Sequence, residues 1–499
     1  MATRNPDNKI EAPNIGISGL AAYLPPYRVW LKDWCEWTGS QWPKIRAVIG
    51  RSFRLRGPDN SVYTMAATAT LRLIEQYDLD PGNIRFLALG TESSSDNSAG
   101  AVIVKGMVDD ALVAMGKPPI SRSCEVPEFK HACLGGVYAM KGAVRFLALD
   151  GKGSQAIVVC ADIAEYARGS SGEPTQGAGA VAMLLEQNPT LATVDLNRSG
   201  SASDYRVMDF RKPMMRFCGQ DRSETHQIQD FPVFNGKYST TCYIDETLHA
   251  LRDMYNKRGI NGAAHLRSLD SIFMHRPYRR MPETGLAIAY LFELGLGGDA
   301  DRRELARYCE PAGIALDDVL EEMNGDPDVA SYATREGLHN DAYPLTMAVQ
   351  HAFRASPDYQ RLVLDKLSLG APMIRDLGNL YTAAMPAWLA AGLEQALDDD
   401  LDLAGQELLT FGYGSGDAAE VIPFYVAPGW REATRRIRFA QAMATACDLT
   451  ESQYVALHDG RRAEGLRYTP RDEFVVDRVG ASEDRHFQDI GIEYYRYAG

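Results

Sequence analysis

Three residues in this sequence are of the types that move acyl groups and protons. Cys133 lies in HACLGGV, at the inferred start of a helix. Backbone N–H groups and the macrodipole at such a start favour a thiolate over a thiol. Gly135 and Gly136 would keep the first turn slim and the sulfur approachable. Glu92 follows the apolar run IRFLALGT, at the C-terminal end of an inferred strand, where open α/β sheets place ligands. A partly desolvated carboxylate there can act as a general base. His275, in DSIFMHRPY, ends another apolar run before Pro277 and can donate to a carbonyl or relay a proton. Arg276, Arg279 and Arg280 beside it add local positive charge. Each also has a plainer reading: a small buried cysteine, a loop carboxylate facing water, a structural histidine in a solvated basic turn.

Three further segments offer polar groups. GSSGEPTQGAGAVAML is a glycine-rich approach to a strand, beginning at Gly169. GNLYTAAM supplies Asn379, Tyr381 and Thr382, and serves equally as a helix start. FGYGSGDAAE ends a strand in a tight turn around Ser415, whose N–H groups can form half of an oxyanion hole. A hydrolase nucleophile elbow needs glycines two residues either side of its serine. Tyr413 and Asp417 stand there instead.

Alternating strands and helices must position these groups. Asn14 to Tyr23 reads as a first strand, Tyr63 to Tyr77 as a helix ended by Pro81 and Gly82, and Ile84 to Glu92 as a strand buried on both faces. A helix over Ala101 to Met115 follows. The helix after Cys133 carries Val137, Met140, Val144 and Leu147 on one face. Strands begin at Gln155 and Gly177, and the second half repeats the pattern. This alternation predicts an α/β fold. Residues 297–345, rich in Asp, Glu and Arg, read as an inserted helical region. We divide the chain into residues 1–190, carrying Glu92 and Cys133; residues 191–430, carrying His275, Asn379 and Ser415; and a polar extension over 431–499.

The chain has 499 residues, 45% hydrophobic and 24% charged, which excludes a disordered or collagenous protein. A net charge of −14 disfavours nucleic acid and anionic membranes as partners. No apolar stretch is long enough to span a bilayer. The eight cysteines form no CxxC pair, so neither a zinc ribbon nor a disulfide framework is expected. The polar N-terminal segment and these thiols lead us to expect a cytoplasmic protein.

Together the segments resemble the hydroxymethylglutaryl-CoA synthase family of the thiolase superfamily. GTESSSD resembles its glutamate segment, FKHACLGG its nucleophile segment, and FMHRPYRRM its histidine segment. ADIAEYARGSSGEPTQGAGAVAML is the longest match; GNLYT, FGYGSGDAAE, DFRKP and FPVFNGKYSTTCY follow in family order. The resemblance implies Glu92, Cys133 and His275 as catalytic residues. It implies Asp162, Thr175, Asp209, Arg280, Asn379, Tyr381 and Ser415 as substrate-binding residues. Departures stand at Leu134, Val137, Asn235, Arg280 and the DNSAG segment, and touch the acyl pocket and the carrier rather than the chemistry.

The resemblance implies a thiolase-like five-layer αβαβα fold with two pseudo-symmetric halves, a homodimer, and no metal or redox cofactor. It implies condensation of acetyl-CoA with acetoacetyl-CoA through an acetyl-cysteine, then hydrolysis to hydroxymethylglutaryl-CoA, the entry to mevalonate. One alternative is the same condensation on acyl-carrier-protein thioesters, as in polyketide β-branching. Others are a condensing enzyme of the ketoacyl-synthase-III kind, against which Glu92 argues, and a catalytically silent scaffold on the same fold.

Overall fold

The apolar runs become strands in the computed structural model, which describes residues 14–94, 100–212 and 231–499. The N-terminal segment and most of DNSAG lie outside the described residues. Ten strands form the main sheet: Ile15–Tyr23 (β1), Ile84–Gly90 (β2), Glu128–Phe129 (β3), Gln155–Ala164 (β4), Gly177–Gln187 (β5), Ala192–Val194 (β6), Gly200–Ser203 (β7), Ile272–Met274 (β8), Glu407–Gly414 (β9) and Ala418–Val426 (β10). Their order is β8-β9-β10-β6-β1-β5-β4-β2-β3, with β7 paired to β10.

Two halves share one plan. In the first, β2 runs parallel to β4, β4 antiparallel to β5, and β5 antiparallel to β1. In the second, β8 runs parallel to β9, β9 antiparallel to β10, and β10 antiparallel to β6. The short β6 also pairs with β1, so the two sheets are joined edge to edge rather than standing apart.

The helices complete five layers. Val62–Gln76 (α1) and Gly100–Ala114 (α2) cover one outer face; both begin within a residue of where the sequence places them. Ser61 and Thr64 form a capping box at the start of α1. Gly135–Ala148 (α3) packs on β1, β2, β4 and β5. Gly236–Arg258 (α4) and Arg280–Leu296 (α5) lie on the opposite outside, with α4 against β7, β9 and β10. Ala384–Asp398 shares the middle layer with α3, touching β1, β5, β8 and β9. Side chains alternate across the strands accordingly. Ile157, Val159 and Ala161 of β4 join α1 and α2 in one core; Ala156, Val158 and Cys160 join α3 in the other.

Within residues 297–345, Asp299–Ala312 and Leu316–Asn324 are helices and Val329–Tyr332 and Gly337–His339 are short 3-10 turns; further helices follow at Pro344–Ala355 and Ala371–Ile374. The C-terminal extension is sewn onto the first half. Cys447–Asp448 pairs with Tyr27–Arg28, and a hairpin of Glu473–Val479 with Glu493–Ala498 anchors on α1 through Phe474 N–H to Thr68 Oγ1 at 3.0 Å. Among the described residues no helix is long and apolar enough to cross a membrane.

Candidate active site

Close backbone packing fixes the nucleophile turn. A Cβ added at Gly90, the last residue of β2, would meet Gly136 Cα at 2.5 Å, and one added at Gly136 would meet Cys160 Sγ at 2.3 Å. The glycine pair therefore seats α3 on the sheet, rather than clearing a path to the sulfur. Ala132, just before Cys133, is held at φ 41°, a left-handed conformation unusual for alanine. Tyr381 is held likewise at φ 48° in the facing half.

Cys133, Thr175, His275, Asn379, Tyr381 and Ser415 line one cavity of about 290 Å³. Most of its remaining wall is aromatic or aliphatic. Tyr166, Phe210, Phe234 and Tyr381 form a chain of edge-to-face and tilted ring contacts packed with Cys133. His275 is buried, its backbone N–H donates to Phe411 O at 2.7 Å, and its ring stacks on Tyr413 with centroids 6.4 Å apart. Asn379 N–H donates to Thr175 O at 2.9 Å, and Asn379 Oδ1 accepts from Tyr381 N–H at 2.9 Å. The side-chain amide is thereby oriented with its nitrogen as the remaining donor.

Glu92 lies beside this cavity, buried, with its charge acting on Cys133, Tyr166 and Tyr381. Asp162 holds it there. Asp162 Oδ1 accepts from Glu92 N–H at 2.8 Å, Thr91 Oγ1 at 3.0 Å and Ser93 Oγ at 2.7 Å; Asp162 Oδ2 accepts from Thr382 N–H at 3.0 Å and from Thr382 Oγ1.

Three of the expected substrate-binding residues stand away from the cavity surface. Asp162 is 0% exposed and both its oxygens are taken by the chain, so it positions the Glu92 and Thr382 turns rather than touching a ligand. Asp209 is buried behind the wall, accepting from the Tyr413 hydroxyl at 2.8 Å. Arg280 begins α5 and does not line the cavity. The basic turn is not simply solvated either. Arg276 is buried, donates to Ile374 O at 2.9 Å, and is pulled down to about 9 by burial and then by Arg375 and Arg279.

The thiolate expected at a helix start is also corrected. The helix begins at Gly135, two residues on, with Leu134 at its cap. Burial first, then the charges of Glu92, Asp162 and Asp209, push the Cys133 thiol well above its usual range. Burial likewise lowers His275 to about 3. At neutral pH the site therefore holds a thiol and a neutral imidazole.

Sequence reasoning missed the aromatic wall and a clamp on the loop carrying Thr175. Glu173 accepts from Trp34 Nε1 at 3.0 Å, Gly169 N–H at 2.6 Å and the Tyr454 hydroxyl at 2.6 Å. Gln176 accepts from Tyr166 N–H and donates to Tyr454. The tail thus reaches the site through Tyr454, a tie for which the local pattern carries no signal.

Comparison with known proteins points to one family. Models of the N-terminal and C-terminal parts of hydroxymethylglutaryl-coenzyme A synthase match residues 11–190 and 359–457, together more than half of the chain. The hydroxymethylglutaryl-CoA synthase of Haloferax volcanii is 25% identical over 436 residues, spanning 86% of this chain and 88% of its own. That of Caenorhabditis elegans is 28% identical over 418 residues, spanning 82% and 77%. The solved structure of MvaS in complex with 3-hydroxy-3-methylglutaryl coenzyme A matches with a TM-score of 0.74 at 25% identity, covering 98% of this chain and 100% of that one. The curacin biosynthetic HMG synthase, solved with an acetyl donor-ACP, shares the fold with a TM-score of 0.67 at 18% identity, covering 97% and 100%. Motif order, layer architecture and matched models coincide, and the chain belongs to the hydroxymethylglutaryl-CoA synthase family.

Proposed function

We propose that this chain condenses acetyl-CoA with acetoacetyl-CoA through an acetyl-Cys133 intermediate, and then adds water to release (S)-3-hydroxy-3-methylglutaryl-CoA and CoA. The observation that carries this reading is the convergence of Cys133, His275, Asn379 and Ser415 on one cavity, with Glu92 fixed beside it.

Cys133 Sγ attacks the acetyl thioester and becomes acylated. Because the sulfur starts as a thiol, its proton leaves as the C–S bond forms, and the departing CoA sulfur is the net acceptor. The N–H groups of Cys133 and Ser415 stabilise the oxyanion. Glu92 removes a proton from the acetyl methyl, a step that depends on its fixed placement. The carbanion attacks the ketone of the acceptor, which His275 and Asn379 orient. His275 or Glu92 protonates the new alkoxide, and water frees the product from Cys133. This chemistry calls for no metal or redox cofactor.

The reading includes coenzyme A as the carrier, a homodimer and a cytoplasmic location. The names of the curated relatives support the carrier, and the unpaired state of the described cysteines suits a reducing compartment. Intact-protein mass after mixing with acetyl-CoA, then acetoacetyl-CoA, tests it. A gain of one acetyl group that the second substrate discharges is expected, and no acetyl group on Cys133 would refute it. An acetyl group discharged only by a carrier-protein acceptor would move the assignment to carrier-bound substrates. Glu92→Ala should still take up acetyl but not condense.

A further inference from the structure

A buried acidic cluster lies behind the cavity wall. Tyr413 lines the cavity and stacks on His275, while its hydroxyl donates to Asp209 Oδ2 at 2.8 Å. Asp209, Cys242 and Asp417 each bring one polar atom to within 4.8 Å of the others. Asp209 is 2% exposed, Cys242 0% and Asp417 3%. One guanidinium faces the cluster. Arg206 pairs with Asp245 at 2.5 Å and Asp204 at 3.2 Å, and reaches Glu246 at 3.7 Å and Asp417 Oδ2 at 3.8 Å. Asp245 in turn accepts from the Tyr343 hydroxyl and lies 3.7 Å from His249 Nδ1.

Four carboxylates thus crowd one guanidinium with Asp209 beside them, and only Asp204 is widely open to solvent, at 56% side-chain exposure. Two neighbouring oxygens, Asp209 Oδ1 and Asp417 Oδ2, have no hydrogen-bond partner among the described residues. Unpaired buried acceptors are costly, and two in adjacent carboxyl groups are both satisfied by a single proton.

We infer that Asp417 is held as a neutral carboxylic acid donating to Asp209, and that this acid pair fixes Tyr413 and, through its ring, His275. Asp417 is then a positioning residue for the acceptor side of the cavity. Burial first, and then the charge of Asp209, raise Asp417 to about 10, consistent with a retained proton. A divalent cation could meet the same three atoms, but the Arg206 charge opposes it.

The kinetic part rests on the proposed condensation; the protonation does not. The infrared difference spectrum of the full chain against Asp417→Asn at neutral pH should show a protonated-carboxyl C=O band, sensitive to deuterium exchange and absent from the variant. Absence of that band from the wild type overturns the inference, as does a stoichiometric divalent cation found by elemental analysis. In kinetics, Asp417→Asn keeps a donor to Asp209 and should condense at a near wild-type rate. Asp417→Ala should slow condensation about tenfold, the worth of one buried hydrogen bond, while acetylation of Cys133 stays unchanged. Unchanged condensation in Asp417→Ala overturns the positioning role. If the wild type takes up no acetyl group the functional proposal fails, and the infrared result still decides the acid pair.

Discussion

Asp162→Ala should damage both folding and chemistry, by an amount the hydrogen bonds bound. Five donors converge on the Asp162 carboxylate. Three are hydroxyls, and these can re-pair: Thr382 Oγ1 already reaches Gly90 O at 3.0 Å, and Ser93 Oγ reaches Ile163 O at 3.4 Å. The other two are the backbone N–H groups of Glu92 and Thr382, which cannot rotate away. An orphaned buried donor costs about 1–3 kcal/mol, so the pair predicts a loss of about 2–6 kcal/mol. Against a typical total of about 5–15 kcal/mol the variant should still fold, with a lower urea midpoint and an unchanged m-value. Release of the Glu92 turn should then cut condensation by about 100-fold, the usual consequence of displacing a catalytic group by about 1 Å. Asp162→Asn, which keeps one acceptor oxygen, should fall between. Urea titration followed by single-turnover condensation from preformed acetyl-enzyme measures both effects. A loss below about 1 kcal/mol with full condensation activity would refute the positioning role.

Other consequences follow from the same geometry. Because burial and three nearby carboxylates raise the Cys133 thiol, its alkylation by iodoacetamide should be slow at pH 7 and keep rising into the alkaline range; a plateau below pH 7 would mean a preformed thiolate. His275 titrates near 3 folded against 6.5 unfolded, so the unfolded chain takes up the proton first as pH falls. Its contribution to stability is complete above pH 6.5 and is lost on acidification, by about 2 kcal/mol between pH 6.5 and 5. His275→Gln should remove that part of the slope, and identical acid profiles would contradict it. Gly136→Ala places a Cβ against Cys160 Sγ and should lower stability by about 1–3 kcal/mol by overpacking, seen as a reduced melting temperature; an unchanged melt would show that α3 has room to shift.

Local chemistry made much of this site readable. Strands buried on both faces are continuous apolar runs, so β2, β4 and β5 and the helix after Cys133 fall where the sequence puts them. The polar signatures around Cys133, His275, Asn379 and Ser415 also sit on one cavity. What the sequence hides are effects that arise only on assembly. Asp162 and Asp209 enter as ligand contacts through the family resemblance alone, and the residues around them carry no sign of their partners. Only the folded chain brings Thr382 and Tyr413 to them, from more than 200 residues away. The state of Cys133 is misread for the same reason: the helix start is local, whereas the desolvation and the charge of Asp209 are not. Phe210 and Phe234 lie in quoted segments, but only the folded chain brings them against Tyr166 and Tyr381 as one wall.

The two halves explain why the reactive groups meet at all. In each, a strand runs to its C-terminal end, the chain passes through a left-handed residue, and a middle-layer helix returns it to a parallel neighbour. Glu92 follows β2, with Ala132 and Cys133 before α3; His275 follows β8, with Asn379 and Tyr381 before the helix Ala384–Asp398. Parallel pairs leave their carboxyl ends facing the same crevice, and the edge-to-edge joint through β6 sets the two crevices against each other. In the proposed mechanism one copy of the plan supplies the nucleophile and the base, and the other supplies the orienting groups. Asp162 crosses between them, binding Glu92 of the first half and Thr382 of the second with a single carboxylate. A rigid tie at that point couples the base to the acceptor pocket, because neither turn can shift without disturbing the other.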